Sequence, residues 1–295
     1  MAEKRKFYGM RNDYMFHAVL QKNEEVLRNL LATLLEIDEA EIESCHIENP
    51  IELGKEIEGK ECILDVKLTL NNDKVINIEL QVYKQTYWIN RSLLYWARTY
   101  DNLKSGQDYS MLLPAYHIGI LDFTLFENHP KFMAQYQILD VEDGYLYSDK
   151  LCIEVLDLTQ LEKAKQEPET NKKLLKWASI FKAETLEELE QLASGEEVFE
   201  NMVVTMKKLS EDEKIRMQCE AREDYERSLL TEYNAGKSEG IEQGIASERG
   251  NTEKERQRAE KESQRAEKER QRAEKESQRA DALAAEVERL RALLK

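Results

Sequence analysis

The sequence is poor in the residues that build zinc sites, disulfide frameworks and membrane spans. Its four cysteines are far apart, and its four histidines lack the spacing of a zinc motif, so we interpret the cysteines as reduced thiols in a cytosol. No apolar run approaches the about 18 residues of a membrane helix, and the opening residues MAEKRKFYGM include no apolar segment of a signal peptide. The sequence therefore predicts a cytoplasmic protein without membrane contact.

Basic residues are outnumbered by acidic ones. No GxxxxGK[ST] phosphate-binding loop is present, so we expect no ATP-driven step. The chain has 43 Lys+Arg against 59 Asp+Glu, and residues 1–250 alone carry a net charge of −18. An acidic protein that binds DNA needs a local basic surface or bound metal ions to offset phosphate repulsion. The charge argues against a broad DNA-coating role but is compatible with a nuclease whose site holds a divalent metal.

The N-terminal part predicts a helix followed by a short strand. Apolar residues recur at three- and four-residue spacing from about Asn12 to Ile37, which is typical of an amphipathic helix. Asn12 suits the N-cap position. We predict the short strand from Glu41 to Ile47.

Two stretches with strict alternation, 62–70 and 75–83, predict the strands of a hairpin. Residues directly opposite each other in an antiparallel pair lie on the same face of the sheet. For the two apolar faces to coincide, Asp65 must lie opposite Glu79 or Gln81. That register requires an odd loop, such as three residues, or a bulge.

The remaining pattern predicts one more helix at 87–104 and a strongly apolar strand at 115–123. Two further strand candidates lie at 135–139 and 152–156, and residues 162–230 have an acidic helical pattern. The order of these segments predicts an α/β domain followed by helices.

Three glycines, Gly236, Gly240 and Gly244, repeat every four residues after the predicted helices. Each costs about 1 kcal/mol relative to alanine inside a helix, so the repeat needs a reason. A hinge and a close helix contact are both compatible with it.

Residues 251–295 contain a heptad repeat of Glu, Lys, Arg and Ala with many oppositely charged pairs three and four residues apart. The repeat predicts a solvated single helix, because alanine and glutamate make a poor coiled-coil seam. Its end is more apolar, and we expect weak self-association there through Leu283, Val287, Leu290 and Leu294. The alternative is a charged spacer without a partner.

Asp65 and Glu79 are the residues most suggestive of chemistry, because each carboxylate stands in the middle of an apolar strand. Cross-strand neighbours have Cβ atoms about 4.5–5.5 Å apart, and two carboxylates so close repel each other unless a cation lies between them. Mg²⁺ prefers such oxygen ligands. From alternation alone, a solvated sheet face with Asp65 paired to Lys67 or to a nearby arginine is favoured over a metal site, because half-exposed antiparallel sheets are common.

The order of helix, strand, hairpin, helix and strand, with Asp65, thirteen intervening residues and then Glu79, resembles the PD-(D/E)XK nuclease core. More narrowly, the chain resembles the Rpn recombination-promoting nucleases, also described as PD-(D/E)XK nuclease family transposases. The resemblance covers roughly residues 7–250. The matching pieces are Asn12-Asp13 with Phe16, Ile63-Leu64-Asp65-Val66, Asn77-Ile78-Glu79-Leu80-Gln81, and Arg91 with Tyr95.

The resemblance implies an α/β, restriction-endonuclease-like core with a mixed sheet flanked by helices, and Mg²⁺-dependent hydrolysis of DNA. It makes Asp65 and Glu79 metal ligands, with the Leu80 carbonyl as a third. Gln81 occupies the position of the signature lysine, where it can orient water or phosphate but cannot supply charge. Leu64 replaces the signature proline.

Other site residues carry two interpretations each. Lys67 can substitute for the missing lysine or be a surface side chain, and Asp13 can add a metal contact or serve as an N-terminal helix charge. Arg91 can bind a DNA phosphate or form a salt bridge to a core carboxylate. Tyr95 lies one helical turn from Arg91 on the same face.

We therefore predict a nuclease-like domain at 1–160, a helical region at 161–233, a glycine joint at 234–250 and, at 251–295, a charged heptad-repeat helix that forms a C-terminal coiled coil at most through its apolar end. The expected function is Mg²⁺-dependent endonucleolytic cleavage of DNA in recombination or mobile-element biology, by a homodimer paired through the tail. The alternatives are a catalytically degenerate nucleic-acid- or protein-binding module and a coiled-coil scaffold.

Overall fold

The computed structural model describes residues 6–51, 53 and 65–293 of the chain. The start of the first predicted hairpin strand, residues 62–64, lies outside the described residues, as do Leu294 and the side chain of Leu290. The chain divides into two compact units, Met1–Ser228 and Leu229–Lys295.

The described helices and strands follow the predicted order. The helices are α1 Asp13–Lys22, α2 Glu24–Leu34, α3 Trp88–Tyr100, α4 Leu161–Ala164, α5 Lys172–Lys182, α6 Leu186–Ala193, α7 Glu197–Glu211 and α8 Glu213–Leu293. The strands are β1 Cys45–Ile47, β2 Val66–Leu70, β3 Lys74–Gln81, β4 Ala115–Leu121, β5 Met133–Leu139 and β6 Leu146–Asp157.

The strands form one mixed sheet in the order β1-β2-β3-β4-β6-β5. β3, β4 and β6 run parallel in its centre, whereas β1 and β2 on one side and β5 on the other pair antiparallel. Helices flank this sheet, so the predicted α/β architecture with a mixed sheet is confirmed.

The β2–β3 hairpin has the odd loop that its apolar faces require. Leu70 pairs with Lys74, which leaves the three residues 71–73 as the loop, and Asn71 and Asn72 adopt positive φ angles of 49° and 56°. Asparagine tolerates this left-handed conformation better than most residues do. Val66 pairs with Ile78, so continuing the register places Asp65 opposite Glu79.

Both faces of the sheet are covered, as expected for its parallel centre. One face, which includes Val66, Ile78 and Ile118, belongs to a large apolar core that it shares with α1, α2, α5 and α7. On the other face, Trp88 of α3 packs with Leu121, Phe123, Leu151, Ile153 and Val155 of the strands and their ends. Successive strand residues alternate between faces, so Glu79 lies on the α3 side.

The predicted single helix from Asn12 to Ile37 was wrong, because the structure has two helices there. Asn12 caps α1 as predicted, with its side chain accepting a hydrogen bond from the Met15 amide. Asn23 interrupts the helix with an extended backbone, φ −131° and ψ 93°, and its side chain caps α2 by accepting from the Val26 amide. Asparagine is among the best N-cap residues, so the polar stretch 21–25 divides two apolar segments that otherwise share a helical spacing.

The C-terminal part of α8 is helical from the glycine repeat through the heptads. Gly236, Gly240 and Gly244 lie within α8, and no atom lies within 4 Å of a Cβ placed on any of them. The described part of the chain thus shows neither a break nor a close contact at these glycines. Leu283 and Val287 are exposed, so self-association at the tail stays a prediction.

No helix among the residues described is long and apolar enough to cross a membrane.

Candidate active site

Glu79 is a buried carboxylate in the middle of the sheet, with 1% of its surface exposed. Its neighbour across the parallel β3–β4 pair is Gly119. A Cβ placed on Gly119 would lie 2.3 Å from Cζ2 of Trp88, so the indole of α3 can reach the strand only because this residue is glycine. Trp88 thus closes the sheet surface beside Glu79.

Arg91 of α3 supplies positive charge to this carboxylate. Its Nη2 lies 3.0 Å from Oε1 of Glu79, and its Nη1 donates a hydrogen bond to Oε1 of Gln85 at 3.0 Å. The guanidinium also lies over the Tyr95 ring, 5.1 Å from the centroid. Arg91 and Tyr95 therefore share one helix face. The sequence allowed Arg91 either a DNA-phosphate contact or a salt bridge to a core carboxylate, and the structure shows the salt bridge.

His117 of β4 lies on the other side of the same carboxylate. Its Nε2 is 3.5 Å from Oε2 of Glu79. Among the residues described, no group makes a hydrogen bond of acceptable geometry to either Glu79 oxygen or to this nitrogen. Buried carboxylate oxygens without hydrogen-bond donors are costly, so the site has unused capacity to coordinate a cation.

Asp65 immediately precedes β2, and Asn49 holds its backbone in place. The Asn49 side chain donates to the Asp65 carbonyl at 2.7 Å and accepts from the Lys67 amide at 2.9 Å. The Asp65 side chain faces the amide of Asn77, with 3.5 Å between Oδ2 and Nδ2. The first carboxylate is thereby fixed at the strand end opposite Glu79.

Burial and the nearby Glu79 charge raise the pKa of Asp65 to about 8, although Arg91 and the Asn77 hydrogen bond act in the opposite direction. A carboxyl group with so high a pKa holds its proton at neutral pH unless a cation compensates for the second negative charge. The two carboxylates therefore form a pair whose joint ionisation calls for a positive partner.

The donor set fits a hard divalent cation. Gln81 accepts a hydrogen bond from the Asp122 amide through its carbonyl, on the β4 side. Successive strand carbonyls point in opposite directions, so the Leu80 carbonyl is directed to the β2 side, where Asp65 lies. Two carboxylates and a carbonyl are oxygen ligands suited to Mg²⁺, which usually keeps several waters.

This set is smaller than a complete protein cage. Across the part of the chain that the structure describes, no group of three or more His, Cys, Asp and Glu side chains is arranged to hold a metal ion. A candidate site therefore rests on Asp65, Glu79 and the Leu80 carbonyl.

Asp13, in the first turn of α1, is held by a residue that the sequence did not indicate. Arg222 of α8 donates to both of its carboxylate oxygens, with Nε 3.1 Å from Oδ1 and 3.0 Å from Oδ2. The Asp13 charge contributes to the raised pKa values of Asp65 and of Glu226, the latter raised to about 7 mainly by burial. Asp13 thus belongs to the same electrostatic neighbourhood as the hairpin carboxylates.

Gln81 and Lys67, the two candidates for the signature lysine, have other partners. The Gln81 side chain donates to the Tyr83 carbonyl at 3.3 Å. The Lys67 ammonium lies 3.0 Å from Oε2 of Glu48. Among the described residues, neither side chain forms a hydrogen bond or an ion pair with Asp65 or Glu79.

Sequence reasoning missed the contributions of Asn77, His117 and Arg222. In the sequence, Asn77 stands out only as part of the Asn77–Gln81 motif, and His117 is one of the four histidines that lack the spacing of a zinc motif. The register of β3 against β4 pairs these two residues directly, which a sequence pattern of single strands does not reveal. Arg222 is 209 positions from Asp13, and no local signal could have joined the two.

A known protein family matches most of the chain. The family model described as "PD-(D/E)XK nuclease family transposase" matches residues 10–236, which cover the sheet, α1 to α7 and the start of α8. Comparisons with curated proteins and with solved structures found no match. The match spans well over half of the chain, and its range includes the hairpin that carries Asp65 and Glu79. The chain therefore belongs to the family of PD-(D/E)XK nuclease family transposases.

Proposed function

We propose that the chain is a Mg²⁺-dependent DNA endonuclease whose site is formed by Asp65 and Glu79. The observation that carries the proposal is the hairpin register: Val66 pairs with Ile78, so continuing the register by one residue brings Asp65 and Glu79 to opposing positions on one face. In addition, neither Glu79 oxygen has a hydrogen bond of acceptable geometry among the described residues, although the Arg91 guanidinium lies 3.0 Å from Oε1. Family membership supports phosphodiester hydrolysis as the reaction class.

In this proposal each residue has a defined task. Asp65 and Glu79 hold the cation, and the Leu80 carbonyl adds a neutral ligand from the same strand. When bound, Mg²⁺ polarises a phosphate and lowers the pKa of a coordinated water. Gln81 orients water or phosphate through its amide, although a neutral amide cannot compensate phosphate charge.

The positive charge for DNA has to come from residues that are now engaged with acids. Arg91 can bind a phosphate in bidentate fashion, and Tyr95 supports its guanidinium plane. Lys67 would have to leave Glu48 to reach the site. Asp13 would have to exchange its contact with Arg222 to contribute a metal contact.

Cleavage of supercoiled plasmid DNA with and without Mg²⁺ tests the proposal. Asp65→Asn and Glu79→Gln should each abolish nicking while the protein stays folded. Glu154→Gln is a matched control, since Glu154 is also a buried strand carboxylate but pairs with Ile118 on the opposite face of the sheet. Full activity in the Asp65 and Glu79 variants would refute the assignment.

One observation favours a second candidate function, a binding module that has lost catalysis. The signature lysine is replaced by Gln81, and Lys67 pairs with Glu48. Such a module would still bind DNA or protein but would show neither saturable binding of Mg²⁺ nor nicking. A magnesium titration of the intact chain separates the two functions.

We propose that the active species is a homodimer in the cytoplasm, paired through the apolar end of the tail, and that it acts in recombination or transposition. Leu283 and Val287 are exposed on α8 and available to a second copy. Cutting both strands of DNA needs two such sites. Leu283→Glu together with Val287→Glu should convert a dimer into a monomer in light scattering; an unchanged mass would exclude this interface.

A further inference from the structure

We propose that Asn77 and His117 are positioning residues that fix the two carboxylates for their shared cation. The proposal deepens the proposed function and rests on it. Three buried side chains on two neighbouring strands carry it. His117 and Asn77 are 0% and 6% exposed, and they pair directly across β3 and β4 on the face that also bears Glu79.

Asn77 connects the first carboxylate to the imidazole. Its Nδ2 lies 3.5 Å from Oδ2 of Asp65 and 3.2 Å from Nδ1 of His117. As a metal ligand Asp65 is ionised, and an ionised carboxylate only accepts hydrogen bonds. The amide end that faces it must therefore be the NH₂ group, which can donate to both neighbours.

This orientation assigns the proton of the imidazole. If the Asn77 NH₂ group donates to Nδ1, that nitrogen is an acceptor, and the proton of the neutral ring resides on Nε2. Nε2 is the atom that lies 3.5 Å from Oε2 of Glu79. A row of close polar contacts, the polar chain, thus runs from Asp65 through Asn77 and His117 to Glu79; its last contact, 3.5 Å from Nε2 to Oε2, does not have hydrogen-bond geometry in this structure.

The α3 helix keeps the imidazole in this orientation. The Trp88 and Tyr95 rings lie 6.0 and 6.3 Å from the His117 ring, centroid to centroid. An imidazole packed between two aromatic rings and a strand has little room to turn, so it can hold Oε2 of Glu79 in one position while Arg91 faces Oε1. Such supporting contacts orient carboxylate ligands and tune their affinity for metal.

The test compares conservative and disruptive variants in the full-length protein. His117→Phe keeps an aromatic ring between Trp88 and Tyr95 but removes both nitrogens, whereas His117→Gln keeps an N–H donor for Glu79. Asn77→Leu keeps the approximate volume without the donor. Calorimetric titration with Mg²⁺ or Mn²⁺ measures the cation affinity directly, and melting temperatures measure folding.

We expect His117→Phe and Asn77→Leu to weaken cation affinity by about 10- to 100-fold, the usual effect of losing a residue that orients a metal ligand. His117→Gln should restore most of the affinity. Plasmid cleavage should fall in kcat with little change in the KM for DNA, because neither residue contacts the substrate. Lower melting temperatures with wild-type cation affinity would reduce both residues to a structural role and overturn the proposal.

A second measurement separates this proposal from the proposed function. Imidazole ¹⁵N spectra of the full-length protein, with the His117 signal identified by its loss in His117→Phe, should show the Nε2–H tautomer, and Asn77→Leu should abolish that preference. An Nδ1–H tautomer in the wild type would overturn the positioning chain even if the cation binds. The absence of cation binding in a wild type with the Nε2–H tautomer would instead refute the nuclease site. The contacts from Asp65 to Glu79 would then have no cation to position.

Discussion

Arg91 of α3 and Glu79 of β3 form an ion pair, with Nη2 3.0 Å from Oε1. Glu79 is almost completely buried, so its charge needs a partner inside the protein. The guanidinium supplies that partner at the carboxylate we propose as a metal ligand. Arg91 and a divalent cation therefore compete for the charge of Glu79, and this competition gives the first prediction.

Arg91→Gln should destabilise the metal-free protein by about 3–5 kcal/mol, because it leaves a buried carboxylate without its cation. Mg²⁺ should then raise the melting temperature of the variant more than that of the wild type. Thermal melts with EDTA and with Mg²⁺ measure both effects. Arg98→Gln, which removes a more exposed arginine of the same helix, is the control, and an equal Mg²⁺ shift in all three proteins would contradict the competition.

The pair of Asp13 and Arg222 predicts strong coupling between α1 and α8. Arg222→Ala should lower the free energy of unfolding by about 3–5 kcal/mol, because Asp13 is left buried and unpaired. Adding Asp13→Asn should recover part of the loss, since a neutral amide costs less to bury than a charge.

Urea unfolding of the single and double variants measures the coupling. Arg227→Ala is the control, because its exposed pair with Asp224 should contribute only about 0–1 kcal/mol. Additive losses in the double variant would show that Asp13 and Arg222 do not stabilise the protein as a pair.

Gly119→Ala should disturb the site without touching a charged residue. The added Cβ would lie 2.3 Å from the Trp88 indole, and overpacking of this kind costs about 1–3 kcal/mol. The displaced indole should also alter the Trp fluorescence and lower cation affinity. Gly236→Ala, where nothing lies within 4 Å of the new atom, should instead stabilise α8 by about 1 kcal/mol; equal effects of the two changes would contradict the packing argument.

Glu154 predicts a pH dependence of stability that is separate from the active site. Burial raises its pKa from 4.5 to about 7, against the lowering effect of hydrogen bonds from Cys152 and Gln135. The folded chain therefore binds this proton more tightly than the unfolded chain does. The resulting stability is present in full below about pH 4.5 and is lost as the pH rises through about 7.

Glu154→Gln removes this titration. Relative to the wild type, the variant should become progressively more stable between about pH 5 and about pH 8, as measured by urea unfolding. Glu162→Gln, a change at an exposed carboxylate, should leave the pH profile as it is. Parallel profiles of wild type and Glu154→Gln would show that Glu154 titrates normally.

The hairpin was predictable because alternation and parity are local rules. The apolar faces of β2 and β3 demanded an odd loop, and the three residues 71–73 provide it. This rule alone limited the residue opposite Asp65 to Glu79 or Gln81, and the three-residue loop of the structure selects Glu79. The division of the first helix at Asn23 was not predicted, because the apolar residues before and after the polar stretch 21–25 have a similar helical spacing, and the sequence pattern does not show that Asn23 caps a new helix there.

The surroundings of the two carboxylates depend on contacts that the sequence pattern does not encode. His117 meets Asn77 only through the parallel pairing of β3 with β4, and Arg91 reaches Glu79 only once α3 is packed over Gly119. For Arg91 the sequence allowed a phosphate contact and a salt bridge equally. In the structure, the packing of α3 against the sheet brings Arg91 into a salt bridge with Glu79.

Binding of a divalent cation is the most direct test of the central claim that Asp65 and Glu79 jointly hold one ion. Calorimetric titration of the full-length chain with Mn²⁺ should show one site per chain in the wild type and in Glu154→Gln. The same titration should show no such site in Asp65→Asn or Glu79→Gln. A wild-type protein that binds no ion, or a site that survives loss of either carboxylate, would contradict the account.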